Sequence, residues 1–214
     1  MFRVRLRFSK GGALRFIGHL DFLRVFQQTI RRAGLPAAFS QGFNPHLLIS
    51  FALPLPLGMD SVNDYADLTL EEEISGDEIV ERLNTVAPGG LVVKAAYPVE
   101  NKAASIVTIA DYALATDNDV SDVVQNLMQS QTIVISKKTK SGIKDTDIRP
   151  DIFDLKAADG MVHMRLSAGS ARFLHPMTVA ELILGEKPNP ALLTRLELYQ
   201  FIEQGEMSAT LISL

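Results

Sequence analysis

Residues 2–8 read Phe-Arg-Val-Arg-Leu-Arg-Phe, and no other stretch constrains the fold as tightly. Phe2, Val4, Leu6 and Phe8 alternate with Arg3, Arg5 and Arg7. A period of two belongs to a strand with one face on a core. The three arginines on its other face repel one another unless an anion, an acidic neighbour or solvent screens them. Gly11-Gly12 ends the strand, and the period then changes. His19–Ala33 carries Phe22, Leu23, Phe26, Ile30 and Ala33 along one side and Arg24, Gln27, Gln28, Arg31 and Arg32 along the other. That is the pattern of an amphipathic helix, and Gly34 supplies its stop.

The alternation of periods continues. Leu48–Leu55 reads as a strand that Pro54 and Pro56 push to an edge. Tyr65–Leu70 alternates again. A helix capped by Ser75 or Asp77 runs to Val86, Pro88-Gly89-Gly90 ends it, and Leu91–Tyr97 is a strand. The order strand, helix, strand, strand, helix, strand predicts the split βαβ, or ferredoxin-like, arrangement. After a linker at Pro98–Ala104 the order recurs with one strand more. Ile106–Ala115 is a strand, Val120–Met128 a helix and Thr132–Lys137 a strand. Lys137–Asp145 is a basic hairpin or loop. Ile148–Ala157 and Met161–Ser167 form a hairpin, Thr178–Leu184 a short helix and Leu192–Phe201 the last strand. The expected fold class is therefore α+β, with tandem ferredoxin-like (βαββαβ) units at 1–97 and 105–214, the second elaborated. A single larger α+β domain is the alternative.

Composition narrows the functional classes. The 214 residues are 47% apolar, enough for an ordinary core. There is no cysteine, which excludes disulfides, thiol catalysis and cysteine-held zinc or iron–sulfur clusters within the chain. No apolar run approaches the ~20 residues that span a bilayer. The N-terminus has charges throughout and no apolar h-region, so it does not read as a signal peptide. A cytoplasmic setting without membrane contact is the expectation. Charge is strongly segregated. Residues 1–50 hold eight Lys and Arg against Asp21 alone, whereas residues 60–81 hold nine Asp and Glu and no Lys or Arg. Such asymmetry marks either two faces that neutralise each other or a basic surface meant for an anionic partner.

The segment 14–58 contains Arg15-Phe16, His19-Leu20-Asp21, Arg31-Arg32-Ala33-Gly34, Gln41-Gly42-Phe43-Asn44-Pro45-His46 and Pro54-Leu55-Pro56-Leu57-Gly58. In this order these motifs resemble the bacterial radical-SAM-linked domain of unknown function. That domain occurs fused behind a radical S-adenosylmethionine module or as a separate chain beside one. A radical-SAM module holds its cluster with three cysteines. Their absence makes this chain resemble the stand-alone accessory form, with no cofactor of its own. The resemblance implies a radical-SAM protein as a partner in a separate chain.

Three groups of residues are candidates for function. His19 and Asp21 open the first helix, and with His46 they could form a catalytic or metal-binding cluster; dipole stabilisation by Asp21 and simple packing of His19 are the plainer reading. Gln41, Asn44 and His46 lie in a loop stiffened by Gly42 and Pro45, a setting suited to hydrogen bonding with bases or phosphates. Arg3, Arg5, Arg7, Lys10, Arg15, Arg24 and Arg31 form the basic set that would meet nucleic acid. Cross-strand pairing with Asp64 and Glu71 is the competing explanation for the arginine row. Lys137, Lys138, Lys140 and Lys144 read as a solvated loop. The leading functional expectation is an accessory module that binds tRNA or rRNA and presents it to the radical-SAM partner. The alternatives are a protein–protein adaptor without RNA contact and, third, an RNA-processing or RNA-modifying enzyme using His19, Asp21 or His46. No recognisable catalytic motif favours the third.

Overall fold

A computed structural model describes residues 1–100, 102, 106–139, 142–204 and 206–211. It is a mixed α+β fold built on a nine-stranded sheet. The chain runs β1 (Phe2–Lys10), a 3-10 turn at Gly12–Phe16, α1 (His19–Arg32), β2 (Ile49–Phe51), β3 (Asp60–Leu70), α2 (Gly76–Val86) and β4 (Leu91–Pro98). It continues with β5 (Ile109–Ala115), α3 (Ser121–Gln129), β6 (Val134–Thr139), β7 (Gly142–Asp147), β8 (Ile152–Ala158), β9 (Met161–Ser167), α4 (Pro176–Leu184), β10 (Leu193–Gln204) and β11 (Glu206–Leu211).

Within the first half the strands lie in the order β4-β1-β3-β2, each antiparallel to its neighbour. Within the second half the order is β10-β5-β9-β8, again antiparallel throughout. The β6–β7 hairpin stands apart as a two-stranded sheet between α3 and β8. The two sets meet where β3 and β10 pair in parallel through Thr194 with Asp60 and Arg195 with Ser61. The linker expected at 98–104 lies partly outside the described residues.

The alternation of β1 has the expected consequence. Val4, Leu6 and Phe8 are buried with Phe22, Phe26 and Ile30 of α1 and Ile79 and Leu83 of α2. Phe8 packs edge-on against Phe26 and Phe51 at centroid distances of 5.1 and 5.8 Å. Ser75, the first residue of a Ser-x-x-Glu sequence, caps α2 by accepting from the Glu78 amide at 3.3 Å. The Pro-Gly-Gly stop has a steric basis. Gly90 has φ +93°, and a Cβ there would stand 2.3 Å from the Gly11 carbonyl oxygen.

Three elements depart from the sequence reading. The strand expected over Leu48–Leu55 shrinks to Ile49–Phe51, and the chain leaves the sheet after Ala52, whose amide still donates to the Tyr65 carbonyl at 2.8 Å. Ala52, Leu55 and Met59 then pack into the second half's core with Val107, Tyr112, Leu193 and Leu198. The two prolines thus end a strand so that its continuation can strap the two halves together. The helix expected from Thr178 starts at Pro176. Proline suits a first helical turn, and His175 Nδ1 accepts from the Met177 amide at 3.2 Å. The third departure is a register shift in β10 between Arg195 and Glu197. One extra residue on a bulged strand turns side chains that would share a face to opposite faces.

Candidate nucleic-acid interface

Cross-strand pairing sets Arg3 beside Thr69, Arg5 beside Asp67 and Arg7 beside Tyr65, all on the sheet face away from α1 and α2. Arg5 is 1% exposed, and its Nε donates to Asp67 Oδ1 at 2.8 Å. A buried guanidinium with a carboxylate partner is a structural ion pair. Arg5 therefore has no surface to offer RNA. The arginine row is compensated by Asp67, not by the Asp64 and Glu71 expected from sequence. Lys10 is buried too. Its Nζ donates to the Ile17 carbonyl at 3.3 Å and lies 4.6 Å from the Phe22 ring centre. Burial depresses its ammonium below the ordinary lysine value. Arg15 is partly buried against Asp60. Arg7 is half-buried and its Nε is enclosed without a hydrogen bond.

The exposed cations fall on two sides. Arg24, paired with Asp21 at 2.7 Å, and Arg31 lie on the outer surface of α1. Arg3 lies across the sheet from them, with Nη1 donating to the Glu100 carbonyl. One groove holding Arg3, Arg5, Arg7, Arg24 and Arg31 together does not exist, because the sheet separates them. Lys144 is exposed, Lys140 lies outside the described residues, and only the backbone of Lys137 and Lys138 is described.

The loop 40–46 is exposed along nearly its whole length. Its base is closed by the Ser40 amide donating to the His46 carbonyl at 2.8 Å. The His46 amide donates to Ser40 Oγ at 3.1 Å, and Ser40 Oγ lies 2.7 Å from His46 Nδ1. Gln41, Gly42, Phe43, Asn44, Pro45 and His46 are all exposed, and Phe43 is fully so. The loop hangs on the chain leaving α1, through the bridges of Ala37 with Leu70 and Phe39 with Leu47. A cluster of His46 with His19 and Asp21 requires the loop to lie beside the start of α1; the edge pairing with β3 carries it to the other end.

That placement separates His19 from His46. His19 stacks edge-on to Phe51 at 5.5 Å on the helix side, and burial followed by the Lys10 charge lowers its basicity. His46 lines a cavity of about 260 Å³ on the opposite face, with Arg3, Ser50, Asp67, Thr69 and Lys102. Asp21 points to Arg24. The three weak catalytic candidates are not assembled. Among the described residues no group of three or more His, Asp or Glu is placed to hold a metal ion. The structure instead brings Arg3 and His46 together, and adds Ser50, Thr69 and Lys102, which nothing in the local sequence singled out.

A second polar region joins the halves. Arg195 is wholly buried. Its Nη2 reaches Asp64 Oδ1 at 2.5 Å and the Leu53 carbonyl at 2.9 Å, while Nη1 reaches the Pro54 carbonyl at 3.3 Å. The proline-broken strap thus supplies carbonyl oxygens to a buried guanidinium. On the other face Tyr65 donates to Glu197 Oε1 at 2.6 Å and Asn63 donates to Oε2 at 3.1 Å. Burial and the Glu197 carboxylate raise the Tyr65 phenol above its ordinary value, so it remains a donor at neutral pH. Of the four charged or phenolic members, sequence reasoning singled out only Asp64, and with a different partner; the partners in the fold are more than 130 residues distant.

No curated protein matches the chain. A family described as an uncharacterized protein conserved in bacteria (DUF2344) matches residues 3–176, across the basic strand, the exposed loop and most of the second half. The chain, with its 40–46 loop beside the Arg3–His46 cavity, belongs to that family.

Proposed function

We propose that this protein is an accessory RNA-binding module that holds tRNA or rRNA for a radical-SAM enzyme in a separate chain. The observation that carries the reading is the 40–46 loop. It presents a fully exposed Phe43 between the exposed amides of Gln41 and Asn44, on a base closed by three hydrogen bonds. An aromatic ring held away from its own core suits stacking on an unpaired base, and flanking amides suit base edges. Arg3, in the cavity that His46 lines, supplies positive charge beside it. The radical-SAM partner is inferred from the sequence motifs of residues 14–58. The architecture is read as two ferredoxin-like units, the second elaborated by the β6–β7 hairpin; the repeated antiparallel strand order supports this. A cytoplasmic location accords with it, and no helix among the described residues is long and apolar enough to cross a membrane. The reading assigns no catalytic step to this chain.

A second reading, a protein adaptor for the same enzyme, draws on Phe16, Leu20 and Leu57, which are 69%, 67% and 59% exposed. The Gly58 amide donates to the Arg15 carbonyl, so Phe16 and Leu57 flank one contact. Filter binding of bulk tRNA and rRNA fragments across salt concentrations separates the readings. With about four phosphate contacts, log affinity falls against log salt with a slope of roughly -3. Arg3→Gln reduces that slope by about one unit. Phe43→Ala lowers affinity without changing the slope, since a neutral ring releases no counterions. No binding at ~50 mM salt supports the adaptor.

A further inference from the structure

The cavity under the loop has a chemistry of its own. Arg3, His46 and Lys102 line it together with the half-buried hydroxyl residues Ser50 and Thr69, and Asp67 completes the wall. Asp67 is already engaged by Arg5, so its charge is compensated from behind. Arg3 uses one guanidinium N–H on the Glu100 carbonyl, which fixes the group in place; a guanidinium carries five. Ser40 Oγ accepts from the His46 amide and lies 2.7 Å from Nδ1, and its own hydrogen can be donated to that nitrogen. In that tautomer Nε2 carries the ring hydrogen and is a donor.

We infer that this cavity binds a phosphate monoester on a ribose, with Arg3 and His46 as its principal donors. Two cationic side chains, Arg3 and Lys102, beside two hydroxyls match a dianion better than the single charge of a backbone diester; a monoester carries about -1.5 to -2 at neutral pH. Charge-assisted bonds from a fork-shaped guanidinium are the strong kind. A space of about 260 Å³ admits a phosphate and sugar but not a duplex. The inference rests on the RNA-binding reading for its natural source, the phosphorylated end of an RNA. A free nucleoside monophosphate offers the same group.

Calorimetric titration of the full chain tests this with four probes: one oligoribonucleotide sequence bearing a 5′-phosphate, a 3′-phosphate or hydroxyl ends, and AMP. A terminal phosphate on one end raises affinity about tenfold over the hydroxyl-ended strand. His46→Gln and Arg3→Gln each remove most of that increment. Ser50→Ala, which deletes only a hydroxyl, reduces it. Phe43→Ala weakens every oligonucleotide alike and leaves the increment intact. A phosphorylated strand binding more tightly than AMP identifies an RNA end as the ligand, and equal binding identifies the nucleotide; both support the site. Equal affinity for hydroxyl-ended and phosphorylated strands, with AMP not bound, overturns the site but leaves RNA binding standing. AMP binding that His46→Gln abolishes, without oligonucleotide binding, supports the site and overturns the RNA reading. An increment that survives both His46→Gln and Arg3→Gln overturns the site. Thermal melts of each variant establish that it is folded.

Discussion

Arg5 shows how one residue's environment reverses its apparent role. On sequence it is one of three equivalent arginines; in the fold it is a buried cation whose Nε and Nη2 both face Asp67, at 2.8 and 3.4 Å. Removing one partner of such a pair leaves an uncompensated charge away from water. Asp67→Ala is expected to destabilise the protein by about 3–5 kcal/mol, read from urea midpoints. Arg5→Met with Asp67→Leu recovers most of that loss, because nothing charged is then stranded. An equal loss in single and double variants rejects the account. Gly90 has a different constraint. Its positive φ and the nearby Gly11 carbonyl together resist a side chain. Gly90→Ala should cost about 2 kcal/mol or more, which chemical denaturation measures.

Helix α4 adds a pH dependence. His175 caps it through Nδ1, which accepts from the Met177 amide only while that nitrogen is unprotonated. Burial lowers the basicity of His175, and burial followed by the Lys10 charge lowers that of His19. A histidine whose folded pKa lies below its unfolded value binds fewer protons folded than unfolded. Its stabilising contribution is complete above about pH 6.5 and declines as pH falls through that value toward the folded one. Thermal midpoints should therefore drop between pH 7.5 and 5.5. His175→Asn, which keeps a capping oxygen, should flatten that drop, whereas His175→Ala should lose about 1 kcal/mol at pH 7.5. Identical pH slopes in wild type and His175→Asn rule the cap out as the source. The bulge in β10 is the other element-level device. By displacing the register after Arg195, it lets one strand send Arg195 to Asp64 on one face and Glu197 to Tyr65 on the other.

At the scale of the molecule, these two networks flank a parallel contact only two residue pairs long. Backbone bonding at the seam is slight, so side chains and the 52–59 strap carry the coupling. Arg195→Met strands Asp64 and withdraws the donor that holds the Leu53 and Pro54 carbonyls. The expected outcome is a loss of about 3–5 kcal/mol and a split of the unfolding transition, seen as a van't Hoff enthalpy below the calorimetric one. Adding Asp64→Leu restores much of the stability. A single unchanged transition in Arg195→Met shows that the strap alone couples the halves.

The element order was legible in the sequence because a switch between periods two and 3.6 is a local signal. Alternation at Phe2–Phe8, helical spacing at His19–Ala33 and the Ser75 cap fixed which residues face the first core. The exposed loop was equally legible, since Gly42, Asn44 and Pro45 state their backbone needs without reference to anything distant. What the tertiary structure decided was which charges meet water. Periodicity assigns a side chain to a face but cannot say what covers that face. Arg5 is covered through a carboxylate 62 residues away, and Asp64 is paired with a guanidinium 131 residues away. Arg3 and His46 line one cavity only because β2 pairs with β3 and β3 with β1. Burying a charge is tolerable only when a partner is fixed beside it, and that partner is set by long-range pairing of strands, which no local pattern encodes.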